Sequence, residues 1–117
     1  MIRLLNQIFD ENEIVYVERN SSLINLYSYD NEYNVEFHNE KWSLDSYRNL
    51  KKILRENFVI ADYGKVILRS SGLINCENVD DLQIKLSYDN GKEVFINFLG
   101  EFERDEMKYQ LDLALNK

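Results

Sequence analysis

The sequence has no proline, a single cysteine, a single histidine and only four glycines among its 117 residues. One cysteine cannot form a disulfide within the chain, so a disulfide-stabilised scaffold is excluded. One cysteine and one histidine also cannot supply the nitrogen and sulfur ligands of a zinc site. No apolar run approaches the roughly 18 residues that a membrane-spanning helix needs. These absences predict a protein that folds around a hydrophobic core without metal ions or disulfides.

Sequence motifs for catalysis are also absent. The chain contains no GxSxG, no GxxxxGK[ST], no GxGxxG and no HExxH pattern. His38 and Cys76 could form a catalytic pair only if the fold brought them together, and an isolated cysteine is more often a small core residue. The acidic clusters do not have the spacing of a calcium-binding loop. We therefore predict no catalytic residue, no cofactor and no metal ligand, and assign no enzymatic activity.

The charge of the chain is strongly negative, with 21 acids, 14 bases and a net charge of −7. Because hydrophobic residues make up 44% and aromatic residues 13% of the chain, it is not a disordered acidic tail. A net negative chain repels phosphate at long range unless its bases are concentrated in a patch, so direct nucleic-acid binding is disfavoured. The single cysteine and the lack of a secretory signal predict a cytoplasmic protein that does not associate with membranes.

Three segments have the apolar spacing of amphipathic helices. They are predicted over residues 2–10, over 43–57 with Ser43 as the N-cap, and over 101–115. The helix over 43–57 has the clearest apolar stripe, and we expect it to pack with the helix over 101–115 on one face of a sheet.

The remaining segments favour strands. Runs of β-branched and aromatic residues separated by turn residues predict a meander over 14–17, 23–29 and 33–38. Two further strands are predicted over 58–60 and 66–68, with a turn at Tyr63 and Gly64 between them. Ser70 to Gly72 forms another turn, and residues 73–79 have no clear assignment.

The strongest local signal is a hairpin over residues 82–98. Leu82, Ile84, Leu86 and Tyr88 alternate with polar residues before Asn90-Gly91, and the alternation resumes beyond it. Asn-Gly is the preferred pair of a two-residue type I′ turn, so we predict that turn here.

The predicted fold is one α+β domain over residues 1–117. An antiparallel sheet of five to seven strands, made of a meander and a hairpin, packs with three helices. The pattern Ser-Tyr-Asp-Asn occurs at 28–31 and again at 87–90. It suggests a weak ββα duplication with halves of about 14–57 and 58–117, although turns favour these residues in any case.

Two acidic groups of residues are candidates for binding a partner. Tyrosine and tryptophan provide large contact areas, and neighbouring acids attract a basic protein. The first group consists of Tyr29, Asp30, Glu32, Tyr33, Glu36, Glu40 and Trp42, and the second of Glu101, Glu103, Asp105 and Glu106. Both groups also have a structural explanation, since tyrosine is common in strands and acids favour helix N-termini.

A possible secondary face is basic. Arg48, Lys51, Lys52 and Arg55 follow one another at helical spacing on the predicted middle helix. This stripe is either a solvated helix face or a docking face for an acidic partner or a phosphate backbone.

The functional hypothesis from the sequence is a small acidic inhibitor of the immunity, antitoxin or phage anti-defence type. It would block a larger basic partner that handles nucleic acid, with its carboxylates imitating phosphates. This hypothesis rests on analogy of size and charge alone. The alternatives are a self-assembling structural or regulatory subunit, including a homodimer, and a small-ligand sensor or enzyme.

Overall fold

The computed structural model of the chain describes residues 2–61 and 66–115. This part contains two helices and ten strands. The strands are β1 (Ile2–Leu4), β2 (Gln7–Phe9), β3 (Ile14–Asn20), β4 (Leu23–Ser28), β5 (Glu32–Glu36), β6 (Phe58–Ala61), β7 (Val66–Arg69), β8 (Leu73–Asn78), β9 (Gln83–Tyr88) and β10 (Glu93–Asn97). The helices are α1 (Glu40–Ile53) and α2 (Glu101–Leu115). The predicted α+β class is confirmed, but the described residues contain two helices rather than three.

The strands form three antiparallel sheets instead of the predicted single one. The central sheet has five strands in the order β5-β4-β3-β7-β6, a second has the order β10-β9-β8, and β1 pairs with β2. The predicted meander is confirmed as β3, β4 and β5. In β3, Ile14 to Val17 are all buried, and a strand that is buried on both faces must be covered from both sides. A single sheet with helices on one face could not provide that cover.

The two faces of the central sheet carry separate halves of the core. On one face, α1 and the β1–β2 hairpin pack against Val17, Ile24 and Leu26. On the other face, β8–β10 and α2 bury Val15 and Leu68. Neighbouring residues of a strand point to opposite faces, so the two helices lie on opposite sides of this sheet. The prediction that both helices pack on one face is therefore wrong.

The predicted N-terminal helix is a β-hairpin. Ile2 lies opposite Phe9 and Leu4 opposite Gln7. Leu5 has a φ of 54°, which is a left-handed conformation that cannot continue a right-handed helix. The apolar spacing over these nine residues fits both the helical period and the strand period. The packing of Ile2 and Leu4 beneath α1 decides for the strand.

Helix α1 begins and ends earlier than predicted. Asn39 is the N-cap, and its side chain accepts a hydrogen bond from the Trp42 N–H at 2.9 Å. The predicted cap, Ser43, is fully buried within the helix. The helix ends at Ile53, so Arg55 lies in the turn that follows. The bounds of α2 agree with the prediction.

The second half of the chain follows most of the predicted strands. β6 and β7 confirm the strands at 58–60 and 66–68, while the predicted turn at Tyr63 and Gly64 lies outside the described residues. The segment without an assignment is β8. Gly72 has a φ of 77° in the turn before β8.

The hairpin over 82–98 is confirmed, but its turn is not type I′. Gly91 has a φ of 83°, whereas Asn90 is not left-handed. The Tyr88 N–H donates to the Lys92 carbonyl at 3.0 Å and the Gly91 N–H donates to the Tyr88 carbonyl at 3.0 Å. These bonds define a three-residue loop in which Gly91 supplies the left-handed position. The Asn90 side chain accepts the Lys92 N–H at 3.0 Å and so supports this loop.

Neither described helix has the length and apolar character that crossing a membrane would require. The meander β3-β4-β5 precedes α1, and the meander β8-β9-β10 precedes α2. The proposed duplication of the chain stays a prediction.

Candidate functional site

The outward face of α1 carries a row of bases. Tyr47 and Leu50 are buried beneath the helix, while Lys41, Arg48 and Lys52 are exposed on the opposite side. Their spacings of seven and four residues place them in line at about 100° per residue. Arg55 continues the line into the turn after the helix. We call Lys41, Arg48, Lys52 and Arg55 the basic face.

Lys41 is a member of this face that the sequence analysis missed. The predicted helix began at Ser43, so Lys41 was placed outside it. Its position seven residues before Arg48 was the available signal. The predicted stripe also included Lys51, which is half-buried, with its Nζ 5.8 Å from the centre of the Tyr47 ring. Lys51 therefore lies at the border of the basic face.

The position of α1 is fixed by the turn between β3 and β4. The Ser43 hydroxyl lies 2.5 Å from the Ser21 carbonyl oxygen. Arg19 donates to the same carbonyl at 3.0 Å, and the Ser21 hydroxyl donates to Glu40 at 2.9 Å. These contacts hold the buried side of the helix on the sheet, so the basic face is presented on a fixed support.

Most described bases outside this face bind groups of the protein itself. Lys85 contacts Glu77 and Glu93, Lys92 contacts Asp30, Arg104 contacts Asp105, Lys108 contacts Asp112, Arg3 donates to the Leu5 carbonyl, Arg19 to that of Ser21, and Arg69 to that of Ile14. Within residues 2–61 and 66–115, the four bases of the basic face form no such hydrogen bond or ion pair. The described bases that form no hydrogen bond or ion pair within the protein are therefore concentrated on α1 and the turn that follows it.

The pKa shifts agree with this division. The hydrogen bond and charge of Glu77 raise the pKa of Lys85, and Asp105 raises the pKa of Arg104. The hydrogen bond from Lys108 is the main reason that the pKa of Asp112 is lowered. Each of these bases stabilises the charge of a nearby carboxylate and is directed toward it.

The first predicted acidic group is divided by the structure. Tyr29, Asp30 and Glu32 lie at the turn between β4 and β5 and line a groove. Tyr33 packs against Phe9, with their ring centres 5.3 Å apart.

The other members of that group lie beyond this turn. Glu36 is exposed at the end of β5, and Glu40 is in the first turn of α1. Trp42 is 51% exposed, and the centre of its ring lies 5.6 Å from that of the His38 ring. Glu40 and Trp42 therefore lie beside the basic face.

The second predicted acidic group has a structural role in α2. Glu101 and Glu103 lie in its first turn, where negative charge complements the helix dipole. Asp105 forms an ion pair with Arg104, with an N–O distance of 2.6 Å. Glu106 is half-buried on the same helix. Whether either acidic group binds a partner stays a prediction.

His38 and Cys76 lie on opposite sides of the central sheet. His38 precedes α1, whereas Cys76 is buried in the core beside α2. The Cys76 Sγ lies 3.3 Å from Asp112, and burial together with this hydrogen bond raises the pKa of the thiol to about 11. The described residues contain no cluster of three or more His, Cys, Asp or Glu side chains that could hold a metal ion.

The described residues thus form three antiparallel sheets and two helices, and α1 presents a basic outer face. No family model and no curated protein matches the sequence. Among solved structures, the chain is similar to the LytTr DNA-binding domain of a protein from Bacillus cereus that is named as a methyl-accepting/DNA response regulator. The TM-score is 0.50 at 14% sequence identity, and the match covers 88% of this chain and 84% of that one. At this identity the likeness shows the fold.

This comparison corrects two expectations from the sequence. The hypothesis of an acidic inhibitor that blocks a basic partner is contradicted, because the solved domain with this fold is named as a DNA-binding domain. The statement that direct nucleic-acid binding is disfavoured is wrong for the same reason. It relied on the net charge of the whole chain, and the net charge does not show which bases are neutralised inside the protein and which remain free.

Proposed function

We propose that this protein is a DNA-binding domain whose basic face contacts the phosphate backbone. The observation that carries the proposal is the basic face: three exposed bases on α1 and Arg55 in the turn after it form no hydrogen bond or ion pair within the described residues, whereas most other described bases do. The likeness to a LytTr DNA-binding domain supports the same function. We also propose a cytoplasmic location, because Cys76 is buried and free and therefore suits a reducing compartment. Such a compartment also holds DNA.

The local charge of this region is opposite to that of the whole protein. Residues 40–57 contain five bases and three acids, a net charge of +2. Because the whole chain has a net charge of −7, the remaining residues together carry −9. Charges in water are screened beyond about 10 Å at 0.1 M salt. The protein measures 37 × 29 × 24 Å, so acids on its far side contribute little to the potential at α1. A phosphate that approaches α1 is therefore attracted.

The arrangement suits contacts to phosphates more than the reading of bases. Phosphate contacts position a protein on DNA and carry no direct sequence information. If each of the four bases neutralises one phosphate, the slope of log K against log salt is about −3.6. The affinity then falls roughly 150-fold when the salt is raised from about 50 to 200 mM.

The test is a fluorescence-anisotropy titration of a labelled duplex of roughly 20 base pairs at several salt concentrations. The variant Arg48→Gln/Lys52→Gln removes two charges from the basic face. The matched control, Arg104→Gln/Lys92→Gln, removes the same two residue types from the opposite side of the central sheet. Both variants change the net charge from −7 to −9, so only the location of the change differs.

We expect the α1 variant to bind more weakly and to lose about half of the salt slope. The control should retain the slope of the unmodified protein. Circular dichroism confirms that both variants are folded. The proposal is refuted if the unmodified protein does not bind duplex DNA at low salt, or if the two variants lose affinity equally.

A further inference from the structure

A groove beside β10 is unrelated to the basic face. It has a volume of about 630 Å³ and lies between β10 and the surface of β3, β4 and the β4–β5 turn. Tyr16 and Tyr27 contribute its aromatic lining, with ring centres 4.7 Å apart. The five-stranded sheet extends past the edge strand β10 of the three-stranded sheet, and the groove lies on this extended surface, alongside β10.

The edge of β10 that faces away from β9 has unpaired backbone groups. The Lys92 carbonyl accepts from Tyr88 and the Phe98 N–H donates to Leu82 at 2.8 Å. In an antiparallel pair the residues alternate between bonding inward and pointing outward. Glu93, Phe95 and Asn97 therefore direct their N–H and C=O groups away from β9. Among the described strands, β10 pairs only with β9.

The groove has the dimensions of one additional strand. Strands lie about 4.8 Å apart in a sheet and rise about 3.3 Å per residue, with about 10 Å between packed layers. A volume of about 630 Å³ then holds about four residues of extended chain. A strand at this position would pair with β10 along one side and pack alternate side chains over the half-buried Tyr27.

The charge of the groove favours a cationic occupant. Glu18, Glu32 and Glu93 contribute carboxylates to the lining, and the Tyr16 hydroxyl donates to Glu18 at 2.6 Å. Burial, followed by the charges of Glu32 and Glu18, raises the pKa of Tyr27 to about 12. Glu93 is paired with Lys85, so the carboxylates of Glu18 and Glu32 give the groove its negative potential. The half-buried Tyr27 ring suits a lysine or arginine side chain as well.

We propose that this groove binds an extended peptide segment rich in lysine or arginine as an additional β-strand on the free edge of β10. The backbone groups of Glu93, Phe95 and Asn97 provide the pairing, and Glu18 and Glu32 select the charge. This mode of recognition takes its affinity from main-chain hydrogen bonds and its specificity from alternate side chains.

A second copy of the protein does not suit this position. Two β10 strands paired edge to edge would be related by a two-fold axis perpendicular to the sheet. Both central sheets would then extend beneath the pair on the same side and collide. A single extended segment carries no such sheet and avoids this collision.

The probe for the test is a capped heptapeptide in which lysine alternates with valine. Amide hydrogen exchange of the full chain is followed by NMR with and without the peptide. Exchange should slow at Glu93, Phe95 and Asn97, whose N–H groups would gain partners. Val94 and Ile96 already pair with β9, so their exchange should change little. This alternating pattern distinguishes strand addition from non-specific adsorption.

Two variants test the parts of the site. Glu18→Gln/Glu32→Gln should weaken peptide binding about tenfold, since two ion pairs are lost. The control Glu101→Gln/Glu106→Gln has the same charge change on α2 and should bind as the unmodified protein does. Phe95→Pro removes an outward N–H, which an edge strand tolerates, and should abolish binding in a folded protein.

The proposal is overturned if the exchange of Glu93, Phe95 and Asn97 does not slow at saturating peptide. It is also overturned if a heptapeptide of alternating glutamate and valine binds equally well, because the carboxylates would then play no part. The Arg48→Gln/Lys52→Gln variant should bind the peptide normally, so failure of the DNA-binding proposal leaves this result unaffected.

Discussion

Replacement of Arg69 by methionine should destabilise the fold strongly. Arg69 is 7% exposed. Its Nε donates to the Ile14 carbonyl at 2.7 Å, one terminal nitrogen donates to the Ser71 hydroxyl at 2.7 Å, and the other donates to the Glu11 carbonyl. The guanidinium also lies 4.7 Å from the centre of the Phe58 ring. Arg69 thus connects β7 to the segment that enters β3.

The magnitude follows from the groups that would lose their donor. Methionine retains most of the apolar stem but leaves the carbonyls of Ile14 and Glu11 without this hydrogen bond. A buried polar group without its partner costs about 1–3 kcal/mol. Relief from burying the guanidinium offsets part of the loss. We expect the free energy of unfolding to fall by about 3 kcal/mol, a large share of the 5–15 kcal/mol that is usual for a domain.

The assay is equilibrium unfolding in urea, followed by tryptophan fluorescence. With a slope of about 1.5 kcal/mol per molar, the midpoint should fall by about 2 M. Arg48→Met is the control, because Arg48 is exposed on α1 and forms no hydrogen bond or ion pair within the described residues, and its midpoint should change little. An unchanged midpoint for Arg69→Met would refute the reasoning that the buried guanidinium holds the two carbonyls.

Two further predictions concern the support of α1 and the buried thiol. Asn39→Ala should lower the free energy of unfolding by about 1 kcal/mol because the N-cap is lost, whereas Asn49→Ala on the exposed helix surface should not; urea unfolding measures both, and equal effects would contradict the assigned cap. The pKa of Cys76 is raised from 9.0 to about 11 in the folded protein, so its contribution to stability is complete below about pH 9 and declines as the pH rises toward 11. The urea midpoints of the unmodified protein and of Cys76→Ala should therefore differ less at about pH 10 than at about pH 8, and a constant difference would argue against a raised pKa.

The elements that the sequence predicted well have a strong local signal. The hairpin over 82–98 combines alternation on both strands with a glycine that can adopt a positive φ. Helix α2 has its acids in the first turn and its apolar residues at helical spacing. Both can be recognised from residues close together in the chain. The N-terminal segment lacks such a signal, because its few apolar residues fit a helix and a hairpin equally.

For the candidate site, too, the sequence predicted what has a local signal and missed what depends on packing. The sequence identified Arg48, Lys51, Lys52 and Arg55 as a basic stripe, since a helical repeat is visible in the spacing, although Lys51 lies only at its border. It missed Lys41 because Asn39, not Ser43, caps the helix. The net charge of −7 led to the wrong conclusion about nucleic acid, because the sequence does not show which bases are paired with carboxylates.

The sequence by itself determined the α+β class, the antiparallel meander and hairpin, the presence of the middle amphipathic helix, which was predicted at 43–57, and the helix at 101–115. Local periodicity and turn residues are sufficient for these features. Only the tertiary structure decided that the strands divide into three sheets, that α1 and α2 cover opposite faces, and that the bases without internal partners gather on α1 and the turn after it. These features depend on contacts between residues distant in the chain, such as Arg69 with Ile14 and Lys92 with Asp30, and such contacts arise only when the separate elements pack together.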